Sequence, residues 1–168
     1  MDYEYFQSLT LDEAQTFLDR FLQMERQGME KTQDQAERDG VPCGYSIETL
    51  GDVLKWFVKQ VRVRRVPVPE EEPWWIRQAH KDGLVEFDEG SQTLLLRAGY
   101  YLGECFARLP GLRWATGDPE HMEKYMPVVA GFRGDLELPP LVVVENMFAR
   151  IAADGGSLDR VDATLEAW

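Results

Sequence analysis

Residues 92–109, QTLLLRAGYYLGECFARL, are the stretch from which the fold of this chain is predicted, and PGLRW follows directly. On a helical wheel of about 100° per residue, the apolar side chains collect on one side of this stretch. That side holds Leu95, Ala98, Leu102, Cys105, Phe106 and Leu109, and the other side holds Arg97, Tyr100, Glu104 and Arg108. The spacing predicts a central helix over residues 92–109, with Ser91 as its N-cap.

Gly99 and Gly103 interrupt this helix on the flank of its apolar stripe, four residues apart. A glycine inside a helix costs about 1 kcal/mol relative to alanine, so two of them call for a compensating reason. Close approach of another element is such a reason, because a glycine has no Cβ. The same spacing occurs in membrane helices, but the three charged residues of the stretch argue against a membrane span. We therefore expect a buried helix of a water-soluble domain, with the strand that carries Trp114 packed against the two glycines.

The composition fits one domain over residues 1–168. The chain is 44% hydrophobic and 11% aromatic, which is enough for a core. Its formal charge is −12, from 18 basic and 30 acidic residues. This charge opposes binding to nucleic acid, where clustered Lys and Arg neutralise phosphates. It suits a basic protein partner, or it serves solubility alone.

Nothing in the sequence predicts export or membrane insertion. The first forty residues lack the apolar core of a signal peptide, and no apolar run reaches the length of about 20 residues that a membrane helix needs. The two cysteines, Cys43 and Cys105, lie far apart. Since isolated cysteines are typical of reducing compartments, we expect free thiols and a cytoplasmic location.

The first half of the chain reads as helical. Thr10 and Glu13 have the spacing of a capping box, and an apolar stripe follows at helical spacing up to Gly28. The next residues up to Gly40 are polar all round, so we expect this helix to fray or project there. Ser46 then caps a second amphipathic helix.

The second half changes its hydrophobic period from 3.6 to 2 residues after the central helix. This change predicts strands near 112–116 and 127–132, and Pro139-Pro140 then opens a helix up to about Ala153. A last helical segment follows, capped by Ser157. Its apolar face should pack on the rest of the domain or on a second copy of the chain. That face consists of Leu158, Val161, Leu165 and Trp168.

These elements predict an α+β fold, mostly helical, with a small antiparallel sheet near residues 112–138 packed on the central helix. Pro67 to Pro73 mark a junction between a helical part, residues 1–66, and a helix–strand–strand–helix part, residues 74–168. In the second part, Trp74 and Trp75 begin a short helix, and residues 84–87 alternate like a strand. An adjacent tryptophan pair is more often a wedge between layers than a ligand platform, although an exposed pair would be a good hot spot for a partner.

Chemical signatures are sparse. The only histidines are His80 and His121, and the sequence contains no HxH, HxxxH or CxxC spacing and no glycine-rich phosphate loop. We therefore predict no catalytic residue, no metal and no cofactor. The basic cluster of Lys59, Arg62, Arg64 and Arg65 is either an anion site or a charged helix end, and the helix end is favoured.

Among the carboxylates, Glu104 is the one with a possible functional role to compare with a structural one. It is either an acid placed in a cleft, or the partner of Arg108 in an i,i+4 ion pair on a solvated helix face. The ion pair is the favoured interpretation, so Glu104 is expected at the surface.

The run Tyr100-Tyr101-Leu102-Gly103-Glu104, followed by Gly111-Leu112-Arg113-Trp114, resembles a pattern of uncharacterised bacterial domain families. In these, a tyrosine-leucine-glycine-glutamate helix precedes a strand with a tryptophan, a turn, another strand and a helix headed by proline. Here the resemblance covers residues 92–153. Some such small acidic proteins look like immunity proteins that neutralise a toxin, which implies a basic protein or toxin as partner. The chain lacks the aspartate-rich tail that would suggest a nuclease-mimicking surface.

Three hypotheses about function follow from the sequence. The first is a non-catalytic bacterial protein-binding domain, immunity- or regulator-like. The second is an enzyme or small-ligand binder with a cleft beside the central helix, and the third is a homodimer formed through residues 157–168. The candidate binding residues are Trp74, Trp75, Tyr100, Tyr101, Glu104 and Trp114, with His121 added for the enzyme.

Overall fold

The computed structural model describes residues 3–121, 123–153 and 155–166. Its helices are α1 (Tyr3–Ser8), α2 (Leu11–Arg38), α3 (Ile47–Gln60), α4 (Trp74–Ala79), α5 (Glu89–Ala107), α6 (Pro140–Ala153) and α7 (Asp159–Leu165). Its strands are β1 (Val63–Val66), β2 (Leu84–Phe87), β3 (Arg113–Thr116) and β4 (Pro127–Ala130), and a 3-10 turn lies at Arg133–Asp135. The predicted α+β class is confirmed.

Helix α2 begins as predicted and then continues further than predicted. The Thr10 hydroxyl accepts a bond from the Glu13 N–H at 3.3 Å, and a Glu13 carboxylate oxygen accepts from the Thr10 N–H at 2.8 Å. The expectation of a frayed or projecting end is wrong, because Met29, Thr32 and Ala36 are buried. These residues keep the helical spacing, but Thr32 is polar and Ala36 is small, which conceals the stripe in the sequence.

The central helix is α5, and it begins three residues earlier than predicted. Its N-cap is Asp88, whose carboxylate accepts a hydrogen bond from the Ser91 N–H at 2.7 Å. The predicted cap, Ser91, is buried, and its hydroxyl accepts from the Arg62 N–H at 2.7 Å. Ser91 therefore ties the start of β1 to α5.

Helix α5 is covered on most of its sides, by α2, α3, α6, β3 and β4. A Cβ on Gly99 would lie 2.5 Å from Leu141 Cδ2 of α6, and one on Gly103 would overlap the Trp114 ring. The expected approach of the Trp114 strand thus occurs at Gly103, while α6 occupies the space at Gly99. Tyr100, expected on the polar face, is only 1% exposed because α2 and β3 cover that face.

The strands form two separate two-stranded sheets where one had been predicted. β3 and β4 pair antiparallel at the predicted place, with Arg113 opposite Ala130. β1 and β2 form the second sheet, with Val63 opposite Phe87. Because residues 67–83, including α4, separate β1 from β2, the sequence contains no local hairpin signal for this pairing.

The hydrophobic core includes residues from both sides of the Pro67–Pro73 segment. Helix α7 packs on α3 and α6 and buries Val161, and Lys55 Nζ lies 2.7 Å from the Asp162 carboxylate. The expected Ser157 cap is wrong, because Leu158 occupies the N-cap position without a side-chain bond. Trp168, expected on the same face, lies outside the described residues.

Across the described part of the chain, no helix is both long enough and apolar enough to cross a membrane.

Candidate functional site

The tryptophan pair is exposed. Trp74 and Trp75 are 68% and 59% exposed, and their rings meet edge to face with centroids 6.0 Å apart. They begin α4, which lies in the connection between β1 and β2. The acidic run at residues 70–72 directly precedes them along the chain. We call Trp74, Trp75 and residues 70–72 the tryptophan surface.

Glu104 is not a surface residue, so that expectation is wrong. Its side chain is 16% exposed, and its carboxylate accepts a hydrogen bond from Trp114 Nε1 at 3.2 Å. The predicted pair with Arg108 is confirmed, with Nε donating at 3.0 Å. The reason for the partial burial is the close approach at Gly103, which brings the Trp114 indole alongside the next residue of α5.

Tyr100 and Tyr101 lie inside the core and are 1% and 0% exposed. The Tyr100 ring stacks on Trp114 with 9° between the ring planes. The Tyr101 hydroxyl accepts a hydrogen bond from the Tyr45 N–H at 3.2 Å and shares another with Thr49 Oγ1 at 3.1 Å. Burial raises the pKa of both tyrosines. They are therefore neutral, and they join α5 to the chain segment before α3.

The two cysteines are buried free thiols. Burial raises the pKa of Cys43 to about 11 and that of Cys105 to about 12, against a smaller opposing effect of a hydrogen bond from Tyr101. Because the thiolate is the reactive form, both side chains are poor nucleophiles at neutral pH.

His121 lies outside this aromatic group and pairs with Glu137, with Nδ1 3.3 Å from a carboxylate oxygen. That hydrogen bond raises the pKa of His121. In the described part of the chain, no group of three or more His, Cys, Asp or Glu side chains could hold a metal ion.

The helix-end interpretation of the basic cluster holds for Lys59, which lies in the last turn of α3, but it is wrong for Arg64 and Arg65, which lie in β1. Arg64 Nη2 lies 2.7 Å from the Glu86 carboxylate on the paired strand. Arg65 donates to two backbone carbonyls, those of Asp82 and Ala153, at 3.3 and 3.2 Å. These arginine contacts link the β1–β2 sheet to the segment that connects its two strands and to the last residue of α6.

A cleft of about 1110 Å³ lies beside the central helix, between β2, the first half of α5 and α6, but its lining differs from the one predicted. It is lined by Arg64, Val85, Glu86, Phe87, Asp88, Glu89, Gln92, Leu95, Leu96, Leu141, Glu145, Asn146 and Ala149. The lining does not include Tyr100, Tyr101, Glu104 or Trp114, which were the candidates beside the central helix. A signal in the sequence was the spacing Glu89, Gln92, Leu96, which puts two polar residues and one leucine on one helix face.

Comparison of the chain with protein-family models, with curated proteins and with solved structures finds no match. The function is therefore inferred from the chain's own surfaces.

Proposed function

We propose that this chain is a non-catalytic protein-binding domain, of a regulator or immunity type, that contacts a basic partner protein through the tryptophan surface. The observation that carries the proposal is the exposure of two adjacent tryptophans, 68% and 59%, on one short helix. A cytoplasmic location and a toxin as the basic partner belong to the same proposal.

The energetic argument rests on the indole rings. Covering a tryptophan that is about two-thirds exposed removes on the order of 100–150 Å² of apolar surface from water, which is worth on the order of 3 kcal/mol. Tryptophan is also enriched among residues that dominate protein interfaces. Two such rings side by side therefore supply a large apolar contribution to the binding of a partner.

The charge of the chain supports a basic partner. The formal charge of −12 produces a field that attracts a cationic protein and accelerates its encounter. Glu70 and Glu71 are exposed and precede the tryptophans, so the acidic field extends to the anchor itself.

A ligand site formed by Tyr100, Tyr101 and Glu104 has less support. Tyr100 and Tyr101 are covered by the core, and the Glu104 carboxylate already accepts bonds from Trp114 and Arg108. Packing and internal hydrogen bonds thus account for the positions of these side chains.

The test is capture from cells that produce this protein natively, using the immobilised wild type and the Trp74→Ala/Trp75→Ala variant. Met24→Ala is the matched control, because Met24 is 67% exposed on α2. We expect a basic protein that is retained by the wild type and by the control but is lost with the tryptophan variant. Retention by all three proteins, or by none of them, would contradict the proposal. Circular dichroism checks that each variant is folded.

A further inference from the structure

The cleft beside β2 runs along the outer edge of that strand. Three consecutive residues of β2, residues 85–87, line it, although successive side chains of a strand point to opposite faces. Only a groove at the edge of the strand is bordered by both faces. One side of α6 forms the opposite wall with Leu141, Glu145 and Ala149, which are spaced four residues apart.

The hydrogen-bond register leaves this edge of β2 with backbone groups that do not pair with β1. The Asp88 N–H donates to the Arg62 carbonyl, so by the alternation of an antiparallel ladder Arg64 with Glu86 and Val66 with Leu84 exchange hydrogen bonds. The N–H and C=O groups of Val85 and Phe87 therefore point away from β1, toward the side of the cleft.

The cleft combines an apolar floor with an excess of carboxylates. Leu95, Leu96 and Leu141 supply apolar surface. Four acidic residues line the cleft against the single Arg64, which already pairs with Glu86. A ligand that fits this lining has positive charges and apolar groups in alternation.

We propose that the outer edge of β2 binds an extended, basic segment of a partner protein as an added antiparallel or parallel strand. The Val85 and Phe87 backbone groups supply main-chain hydrogen bonds, which is the basis of β-strand addition. Alternate side chains of the segment lie on the leucines, and its Lys or Arg side chains face Glu89. This site is separate from the tryptophan surface and does not depend on it.

The experiment uses a fluorescent peptide of alternating lysine and valine, eight residues long, titrated with the full chain and followed by anisotropy and by amide NMR. We expect saturable binding with shifts of the Val85 and Phe87 amide signals. A peptide of alternating glutamate and valine is expected not to bind. The Trp74→Ala/Trp75→Ala variant is expected to bind the lysine peptide like the wild type, which separates this result from the capture experiment.

Backbone methylation tests strand addition directly. In an extended chain, alternate N–H groups point to opposite sides, so N-methylation of one alternate set blocks pairing while methylation of the other set leaves it intact. We expect binding to weaken about tenfold or more for one set only. Equal effects of the two sets, or none, would overturn strand addition.

The carboxylate is tested with Glu89→Gln, and the matched control is Glu30→Gln on an exposed part of α2. We expect the cleft variant to bind about fivefold more weakly at low ionic strength, with the difference shrinking in high salt. Equal affinity of the two variants would overturn the basic character of the ligand. A dimer of this chain whose formation the peptide blocks would assign the edge to a second copy and would overturn the choice of partner.

Discussion

Replacing Gly103 by alanine is expected to destabilise the protein although alanine is the better helix former. A Cβ at this position would overlap the Trp114 ring and would lie 2.9 Å from Pro140 Cγ. Neither group moves easily. The indole stacks on Tyr100 and donates to Glu104, and the proline ring is rigid. Relief of the overlap therefore requires a shift of β3 or α6 against α5.

The magnitude follows from three contributions. Overpacking a core costs about 1–3 kcal/mol. Displacement of Trp114 weakens a hydrogen bond to a carboxylate, of a kind worth about 1.5–3 kcal/mol. The helix gains up to about 1 kcal/mol from alanine. We expect a net loss of about 2 kcal/mol, which corresponds to a fall in Tm of about 4–8 °C for a chain of this size.

Gly51→Ala is the matched control, because its Cβ would lie 3.5 Å from Asp162 Oδ1 and 3.8 Å from Leu165 Cδ1, which is ordinary contact. This variant should gain about 0.5–1 kcal/mol from helix propensity alone. Urea unfolding followed by circular dichroism gives both free energies of unfolding. If Gly103→Ala is as stable as Gly51→Ala, the close approach of Trp114 to α5 is refuted.

Three further predictions concern titratable groups. Burial raises the pKa of Glu25, which is 8% exposed, so its ionisation destabilises the fold as pH rises above its unfolded pKa. Glu25→Gln should therefore raise the free energy of unfolding at pH 7 and reduce its decline with pH, and an unchanged urea midpoint would contradict this. The pKa of His121 should lie above 6.5 by NMR and should fall in Glu137→Gln; any stabilisation from this pair is present at low pH and is lost as pH rises through the folded pKa. Cys43 and Cys105 should react slowly with iodoacetamide at pH 8 in the native state and rapidly in urea, and fast native labelling would refute their burial.

Part of the fold could be predicted because local chemistry specifies it. The Thr10–Glu13 capping box and the proline at the start of α6 are signals that need no tertiary contact. The alternation in β3 and β4 is equally local. The glycine pair in α5 indicated close packing, since nothing else offsets two glycines inside a helix.

The burial of α5 could not be predicted from a single apolar stripe. A helical wheel assumes one buried face, but α5 is covered from several directions. Tyr100 therefore fell on the polar side of the wheel, while in the fold its ring stacks on Trp114. The end of α2 was missed for a related reason, because Thr32 and Ala36 fill a tight interface with small side chains.

The lining of the cleft was not predicted because it depends on the β1–β2 pairing, which joins strands across residues 67–83. A long connection that contains its own helix has none of the turn residues that mark a short hairpin. Of the candidate residues, Trp74 and Trp75 are at the surface, and sequence could not decide between wedge and hot spot because that choice depends on what surrounds α4.

Photo-crosslinking in living cells tests directly whether the tryptophan surface binds a basic protein. Benzoylphenylalanine replaces Trp75 in one variant and Met24 in the control, since both native side chains are more than half exposed. We expect the Trp75 variant to yield an adduct with one basic protein and the Met24 variant to yield none. No adduct at Trp75, or the same adducts at both positions, would contradict this expectation.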